Sequence, residues 1–450
     1  MIIHLDPGDL PASWYNVVPD LLELALPPPM SSSGYPLGNN DLSSVATSSI
    51  IKQELEREKK DISIPGPVLD LYSEWRPTPM YRAERWEKIL DTPARIYYKY
   101  EGNSASGSHQ MNTALAQAYY ASQEKPVKRI VTATGDGDWG ISLAIACNYF
   151  NIRCTVFMVR SGYDEKESGR FMMEVLGAEV IPSPSERTLA GKKKLAQAPD
   201  SPGSLGIALS EAFEDASTRD DTKFSWGTVM NHVLLHQTII GQEARLQLKN
   251  AGVKPDIIIC AVGGGSGFGG LVFPLYRNRS AGTRIIAVET AACPSLSKGR
   301  YAYDYGDAEG LSPLLKMYTL GHSFVPPGIS AGGMRYHGIS PLISALYREK
   351  RIEARSYSQK RAFEAAVMFA RAEGLIPSPE SSYAVAAVID EANACKEKKE
   401  RKNILFLLDA SGNLEFTTYR EYIRDGVEEH PFHEDQVAAA LEKLPEVRQS

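Results

Sequence analysis

The sequence predicts an α/β protein built on parallel sheets, and three observations carry that expectation. Residues 256–262, 284–289 and 403–409 are short, nearly continuous apolar runs, the pattern of strands buried on both faces. Such runs alternate with helical segments from about residue 95 onward, as in sheets wound with crossover helices. A glycine-rich turn at 263–270 follows one of the runs directly. In open α/β sheets ligand sites lie at the carboxyl ends of strands, where such turns fall.

Taken in order, residues 1–60 are irregular. Prolines 27–29 and the turn residues around Gly34 and Gly38 fix extended backbone and remove donors, which predicts a wrapping extension rather than a domain. The charged stretch 54–60 ends a short helix. Residues 95–101 read as a strand, and the Ala-rich stretch 111–123 as a helix. The run 129–134 is a strand ending at Gly135-Asp-Gly-Asp. Residues 141–150 are helical, 154–159 a strand, 165–176 a helix and 179–182 a short strand. After the runs at 256, 284 and 403 comes a polar tail, 428–450, helical around 437–444. No internal repeat is visible.

Of the 450 residues, 43% are apolar and 23% charged, which suffices for a substantial core. No run approaches the ~20 apolar residues that span a bilayer. The start, Met1-Ile-Ile-His-Leu-Asp-Pro-Gly-Asp, lacks the pattern of a secretory signal. Lys and Arg total 49 against 55 Asp and Glu, a formal charge of −6, so nothing in the overall charge favours nucleic acid or an anionic membrane. The five cysteines, at 147, 154, 260, 293 and 395, are too scattered for a disulfide framework or a zinc site. The expectation is a cytoplasmic protein that handles a small molecule.

Two stretches could carry chemistry. Gly263-Gly-Gly-Ser-Gly-Phe-Gly-Gly holds six glycines in eight residues. Directly after a strand, their backbone N–H groups can converge on an anion, helped by the positive end of a following helix. Ser106-Gly-Ser-His-Gln-Met-Asn opens the Ala-rich helix. There Ser108 can serve as a helix cap, with His109 and Asn112 either surface groups or ligand contacts.

These residues converge on a family. Trp75-Arg-Pro-Thr-Pro-Met-Tyr-Arg, Tyr98-Lys-Tyr-Glu-Gly, Gly107-Ser-His, Asn231-His-Val-Leu-Leu-His-Gln, the Gly263 loop, Leu314-Leu-Lys-Met-Tyr-Thr-Leu-Gly-His, Ala331-Gly-Gly-Met-Arg-Tyr-His-Gly and Pro379-Glu-Ser-Ser resemble the tryptophan synthase beta chains. The resemblance is to their second, longer type and covers roughly residues 5–425. It implies the fold of the fold-type II pyridoxal-phosphate (PLP) enzymes, with two three-layer α/β domains, parallel sheets, the cofactor between them and a homodimeric assembly. The division it implies is an N-terminal extension (1–61), a domain carrying the phosphate cradle (62–108 and 231–425), a second domain with a mobile subdomain (109–230) and a tail (426–450). The cradle would be Gly263, Gly264, Gly265, Ser266 and Gly267, with His109 and Asn112 beside it and Glu380 near the cofactor ring.

The same resemblance marks departures. Where the family has the Schiff-base lysine this chain has Gln110, and an amide offers no nucleophilic amine. Where the family has a catalytic glutamate it has Ala133. Asp136 and Asp138 replace small or amide residues in the loop that receives the substrate carboxylate, and two carboxylates there would repel it. Gly267 replaces an asparagine. An ungapped match sets Asp409 at the family's serine near the pyridine nitrogen, while a small gap would use Ser411 and Gly412 instead.

Three readings of Asp136 and Asp138 stay open: caps at a helix N-terminus, ligands of Mg²⁺, or a carboxyl pair in which one member serves as general acid. Together the departures predict a repurposed, PLP-independent enzyme of specialised metabolism rather than an ordinary tryptophan synthase. It would have no covalently bound PLP, with Mg²⁺ as a candidate cofactor. Its reaction would be that of a lyase, isomerase or cyclase on a phosphate- or diphosphate-bearing molecule, for example terpene formation from a prenyl diphosphate. The alternatives are a catalytically inactive binding or regulatory relative, and an enzyme that holds PLP non-covalently.

Overall fold

The computed structural model describes residues 1–165, 167–277 and 279–447. The apolar runs form the middle of a seven-stranded sheet ordered Ile2–Ile3, Met80–Arg82, Arg95–Tyr100, Asn403–Leu408, Ile257–Ala261, Arg284–Thr290 and Glu353–Tyr357. From Arg95–Tyr100 to Glu353–Tyr357 all neighbours are parallel, with Asn403 opposite Arg95, Ile257 opposite Ile404 and Ile257 opposite Arg284. Only Met80–Arg82 runs against the rest, pairing antiparallel with Arg95–Tyr100 on one side and with the edge strand Ile2–Ile3 on the other. A second, parallel sheet has the order Glu179–Ser183, Arg153–Val159, Arg129–Thr134 and Thr222–Phe224.

Both central strands of the small sheet are almost wholly buried. Packing on both faces explains why their sequences do not alternate. The helix Met111–Gln123 is likewise buried along most of its length, and four of its residues are alanine, all of them buried. The N-terminal segment lies across the large sheet's helices. Trp14 is fully buried against His236, with ring centroids 4.5 Å apart, and the backbone N–H of Tyr15 donates to Thr238 Oγ1 at 2.9 Å.

Several elements differ from the sequence expectation. The stretch expected to be helical from Glu165 is already helical at Arg160–Glu165, and is helical again over Glu167–Val175. The helix expected from Ile141 begins at Asp138, with Gly137 at φ +117° before it. The strands Arg300–Tyr305 and Leu314–Thr319 form an antiparallel pair that no apolar run announced. The short helix before the charged stretch is Ser48–Glu54, and the tail helix is Glu434–Leu441. Among the described residues no helix is long and apolar enough to cross a membrane.

What matters for function is where the strands end. Arg129–Thr134, Ile257–Ala261 and Asn403–Leu408 all point their carboxyl ends at one cavity of about 170 Å³.

Candidate functional site

One wall of the cavity is the turn after Ile257–Ala261. A Cβ added at Gly263 would lie 2.0 Å from the carbonyl oxygen of Gly333, and one at Gly264 would lie 2.3 Å from Thr228 Oγ1. Gly265 sits at φ +114° and opens the helix Ser266–Tyr276. Side chains are therefore excluded by close approach at two positions and by conformation at the third. What remains is a turn of bare backbone at a helix N-terminus, the geometry that receives a phosphate.

His109 ties this turn to a second strand end. Its backbone N–H donates to the carbonyl of Asp409 at 2.9 Å, Nδ1 lies 3.2 Å from the same oxygen, and Nε2 lies 3.0 Å from Ser266 Oγ. These partners assign the proton to Nδ1 and leave Nε2 to accept from the Ser266 hydroxyl. Ser108 is not the helix cap: that position is Gln110, without a side-chain cap bond, and Ser108 Oγ accepts from Gln110 N at 3.3 Å just before the helix. Asn112 does not line the cavity. Its Oδ1 accepts from Arg76 Nε at 3.1 Å and its Nδ2 donates to Gln237 at 2.8 Å.

The loop after Arg129–Thr134 brings Ala133, Asp136 and Asp138 to the cavity. Asp136 Oδ1 lies 3.7 Å from Arg335 Nη1, and both side chains are largely buried. A Cβ at Gly332 would fall 2.2 Å from Asp136 Oδ2, so the carboxylate packs on that turn. Asp138 stands in the first turn of its helix, where the N-terminal dipole favours a carboxylate. Among the described residues no group of three or more His, Cys, Asp or Glu is placed to hold a metal ion. Glu380 also faces the cavity, and its Oε1 accepts from Gly333 N at 2.9 Å. Burial pushes its carboxyl well above the ordinary range, and the charges of Asp138, Asp409 and Glu415 add to the shift.

Asp409 lines the cavity, whereas Ser411 caps the short turn Gly412–Leu414. Sequence reasoning assigned no role to Arg335, or to the aromatic wall of Trp139, Phe213, Phe224 and Trp226. Arg335 lies inside the Ala331–Gly338 motif, which was the available signal. The wall had none, because its residues come from three separate segments.

The profile of the family described as "Pyridoxal-phosphate dependent enzyme" matches residues 71–409. The chain is 48% identical to a tryptophan synthase beta chain 2 of Methanosarcina mazei, over 95% of this chain and 97% of that one. It is 50% identical to the Aquifex aeolicus protein of the same name, over 93% and 98%. With the Thermotoga maritima one it shares 49%, over 93% and 99%. Among solved structures, a fungal L-serine ammonia-lyase from Rhizomucor miehei superposes with a TM-score of 0.57 at 16% identity, covering 78% of this chain and 98% of that one; it shares the fold.

The turn fits the phosphate of pyridoxal phosphate, since Gly333 and Thr228 exclude side chains at Gly263 and Gly264 and leave bare backbone before a helix N-terminus. At its carbonyl end the fit stops. Gln110 lines the cavity with Oε1 buried and without a hydrogen-bond partner among the described residues. No lysine lines the cavity among those residues. Lys99 is fully buried elsewhere, with Nζ 2.6 Å from Glu243 Oε2 and 2.7 Å from the carbonyl of Thr78. An amide does not condense with an aldehyde, so no bond to the cofactor is assigned to residue 110.

These findings correct the functional expectation drawn from the sequence. A PLP-independent lyase, isomerase or cyclase on prenyl diphosphates, an assignment away from ordinary tryptophan synthase, and a cofactor set without covalent PLP but with Mg²⁺ are all overturned. The finding against them is the family match together with 47–50% identity to tryptophan synthase beta chains over nearly the whole chain. The physical weakness of the expectation lay in its charge argument. It counted Asp136 as an uncompensated anion, and the fold sets Arg335 beside it. Family profile, near-full-length identity and shared fold agree: the chain belongs to the pyridoxal-phosphate-dependent enzymes, among the tryptophan synthase beta chains.

Proposed function

We propose that the chain is a pyridoxal-phosphate enzyme of the tryptophan synthase kind, working on an amino acid and an aromatic partner in the cavity between its sheets. The observation that carries the reading is the cradle at Gly263–Ser266, where side chains are excluded at two positions and a helix N-terminus begins. His109 would fix the turn by accepting the Ser266 hydroxyl, which leaves the backbone N–H groups of the turn to meet the phosphate. The wall of Trp139, Phe213 and Trp226 supplies apolar surface for an aromatic ring. Glu380, its carboxyl pushed up by burial and by Asp138, would hold a proton beside it. Asp136 is committed to Arg335 and positions the loop.

The same reading keeps the domain limits given above, supported by the small sheet's strands all falling between residues 129 and 224. It keeps a homodimer, which light scattering tests, and a cytoplasmic location, supported by five cysteines that are all free and buried.

The experiment is a titration of the purified protein with pyridoxal phosphate, followed by incubation with serine and indole. Saturable binding and accumulation of tryptophan are expected. Borohydride reduction and peptide mass spectrometry then identify any residue that carries the cofactor. A protein that neither binds the cofactor nor forms tryptophan overturns the proposal.

A further inference from the structure

Trp226 sits at the centre of the aromatic wall. Its ring packs edge-on against Phe224 and Phe213, with centroids 4.7 and 6.1 Å away. Its backbone is clamped by Gln117, whose Oε1 accepts from Trp226 N at 3.0 Å and whose Nε2 donates to Trp226 O at 2.8 Å. The wall keeps its shape only while Trp226 keeps its place.

Two routes lead from Trp226 back to one short helix of the N-terminal segment, Ser48–Glu54. The first runs through Gln117, whose Nε2 also donates to Thr113 Oγ1 at 2.8 Å. Thr113 Oγ1 lies 2.9 Å from His236 Nδ1, and His236 Nε2 lies 2.8 Å from Gln53 Oε1. Burial holds the His236 imidazole well below its ordinary pKa, and His232 adds to the shift. The neutral ring then donates from Nε2 to Gln53 and accepts the Thr113 hydroxyl at Nδ1. The second route is shorter. His232 stands edge-on to Trp226 with centroids 5.5 Å apart. Its Nδ1, at 2.7 Å, and its backbone N–H, at 3.0 Å, both meet Glu54 Oε2. Thr113, Gln117, His232, His236 and Glu54 are all buried, and a close-packed interior transmits a displacement rather than absorbing it.

We infer that Gln53 and Glu54 are positioning residues for an aromatic substrate ring, holding Trp226 in the orientation against which that ring packs, although neither of them lines the cavity. The inference rests on the reading of the wall as the place of an aromatic partner, and adds that the N-terminal segment sets the affinity there. Aromatic rings attract one another in offset-stacked or edge-to-face arrangements, so a turned Trp226 presents apolar surface with a poorer fit.

The test uses the full chain and two probes, indole by calorimetry for the wall and inorganic phosphate by thermal shift for the glycine turn. Glu54→Ala is expected to weaken indole binding by ~10-fold, the scale of one hydrogen bond to a charged group, with phosphate protection kept. Glu54→Gln is expected to restore the affinity, because both donors of His232 meet one oxygen and an amide oxygen can take its place. Gln53→Ala, at a half-buried position, should shift indole affinity in the same direction, and it carries the test if Glu54→Ala does not fold. Unchanged indole affinity in the folded alanine variants overturns the inference and leaves the cavity reading standing. A loss shared equally by indole and phosphate, or an undiminished loss in Glu54→Gln, overturns it as well. Wild-type protein that binds no indole overturns the aromatic reading of the wall, and this inference with it.

Discussion

Lys99 shows what burial does to a charge. Its ammonium, Arg76, Glu243 and Glu101 are all buried, and Glu243 accepts from both Lys99 and Arg76, the latter at 2.8 Å. Burial lowers the Lys99 pKa and the two carboxylates oppose that. Removing Glu243 takes away the carboxylate paired with buried Lys99 and leaves buried Arg76 with Glu101 alone. Glu243→Ala is expected to cost about 3–5 kcal/mol in urea unfolding, and a loss below ~1 kcal/mol would show that water replaces the carboxylate. Glu289 is a second isolated case. Burial pushes its carboxyl up to about 7, against hydrogen bonds from the N–H groups of Leu296 and Ser297. A raised carboxyl pKa contributes stability below the unfolded value of 4.5 that is lost as pH rises through the folded value. Wild-type stability is expected to fall by roughly 3 kcal/mol from this group between those limits. Glu289→Gln should flatten that slope even if its absolute stability is lower. Chemical denaturation at a series of pH values from 4 to 8 reads the difference.

At the scale of the element, the turn between Ile257–Ala261 and Ser266–Tyr276 joins folding to binding. Its glycines are required by neighbours that belong to other segments: Gly333 for residue 263, Thr228 and Val229 for residue 264, Ile343 for residue 265. Gly265→Ala adds strain at φ +114° and a contact of 2.3 Å with Ile343 Cδ1. It is expected to lower stability by ~1–3 kcal/mol and to abolish the thermal protection given by phosphate or pyridoxal phosphate. Retained protection would move the anion site elsewhere. The helix Asp138–Tyr149 is a milder case. Asp138→Asn removes a charge from its first turn, with an expected change of ~0.3–1 kcal/mol. It also removes one of the charges that raise Glu380, so the ionisation of Glu380 should move down, as read by a pH titration of difference infrared absorbance near the carboxyl band.

For the whole molecule, the cavity belongs to neither sheet alone. Loops from 134–138 and 263–267 line it together with the Gly332–Met334 turn and Asp409. A ligand held there stabilises the folded chain by mass action, ~2.7 kcal/mol at a hundredfold excess over Kd. Hydrogen exchange is expected to slow at both 134–138 and 263–267 when pyridoxal phosphate is added. Protection confined to one loop would mean that the ligand sits on a single sheet.

The sequence by itself determined the α/β class, the central parallel strands, the glycine turn that follows one of them and the family. Continuous apolar runs mark strands buried on both faces, and a glycine cluster after one of them leaves few structural uses. The pair Arg300–Tyr305 and Leu314–Thr319 escaped because its first strand, Arg-Tyr-Ala-Tyr-Asp-Tyr, is only partly buried and carries no apolar run. Glu353–Tyr357 escaped for the same reason: it is polar, and it is placed by pairing with Arg284–Thr290. Tertiary structure alone decided the electrostatics of the site. Whether Asp136 is an uncompensated anion depends on Arg335. The place of Asp409 depends on Ser378, Ser381 and the missing side chain at 267. The unavailability of Lys99 depends on Glu243. Each partner is remote in sequence, and a charge is known only when its neighbours in space are.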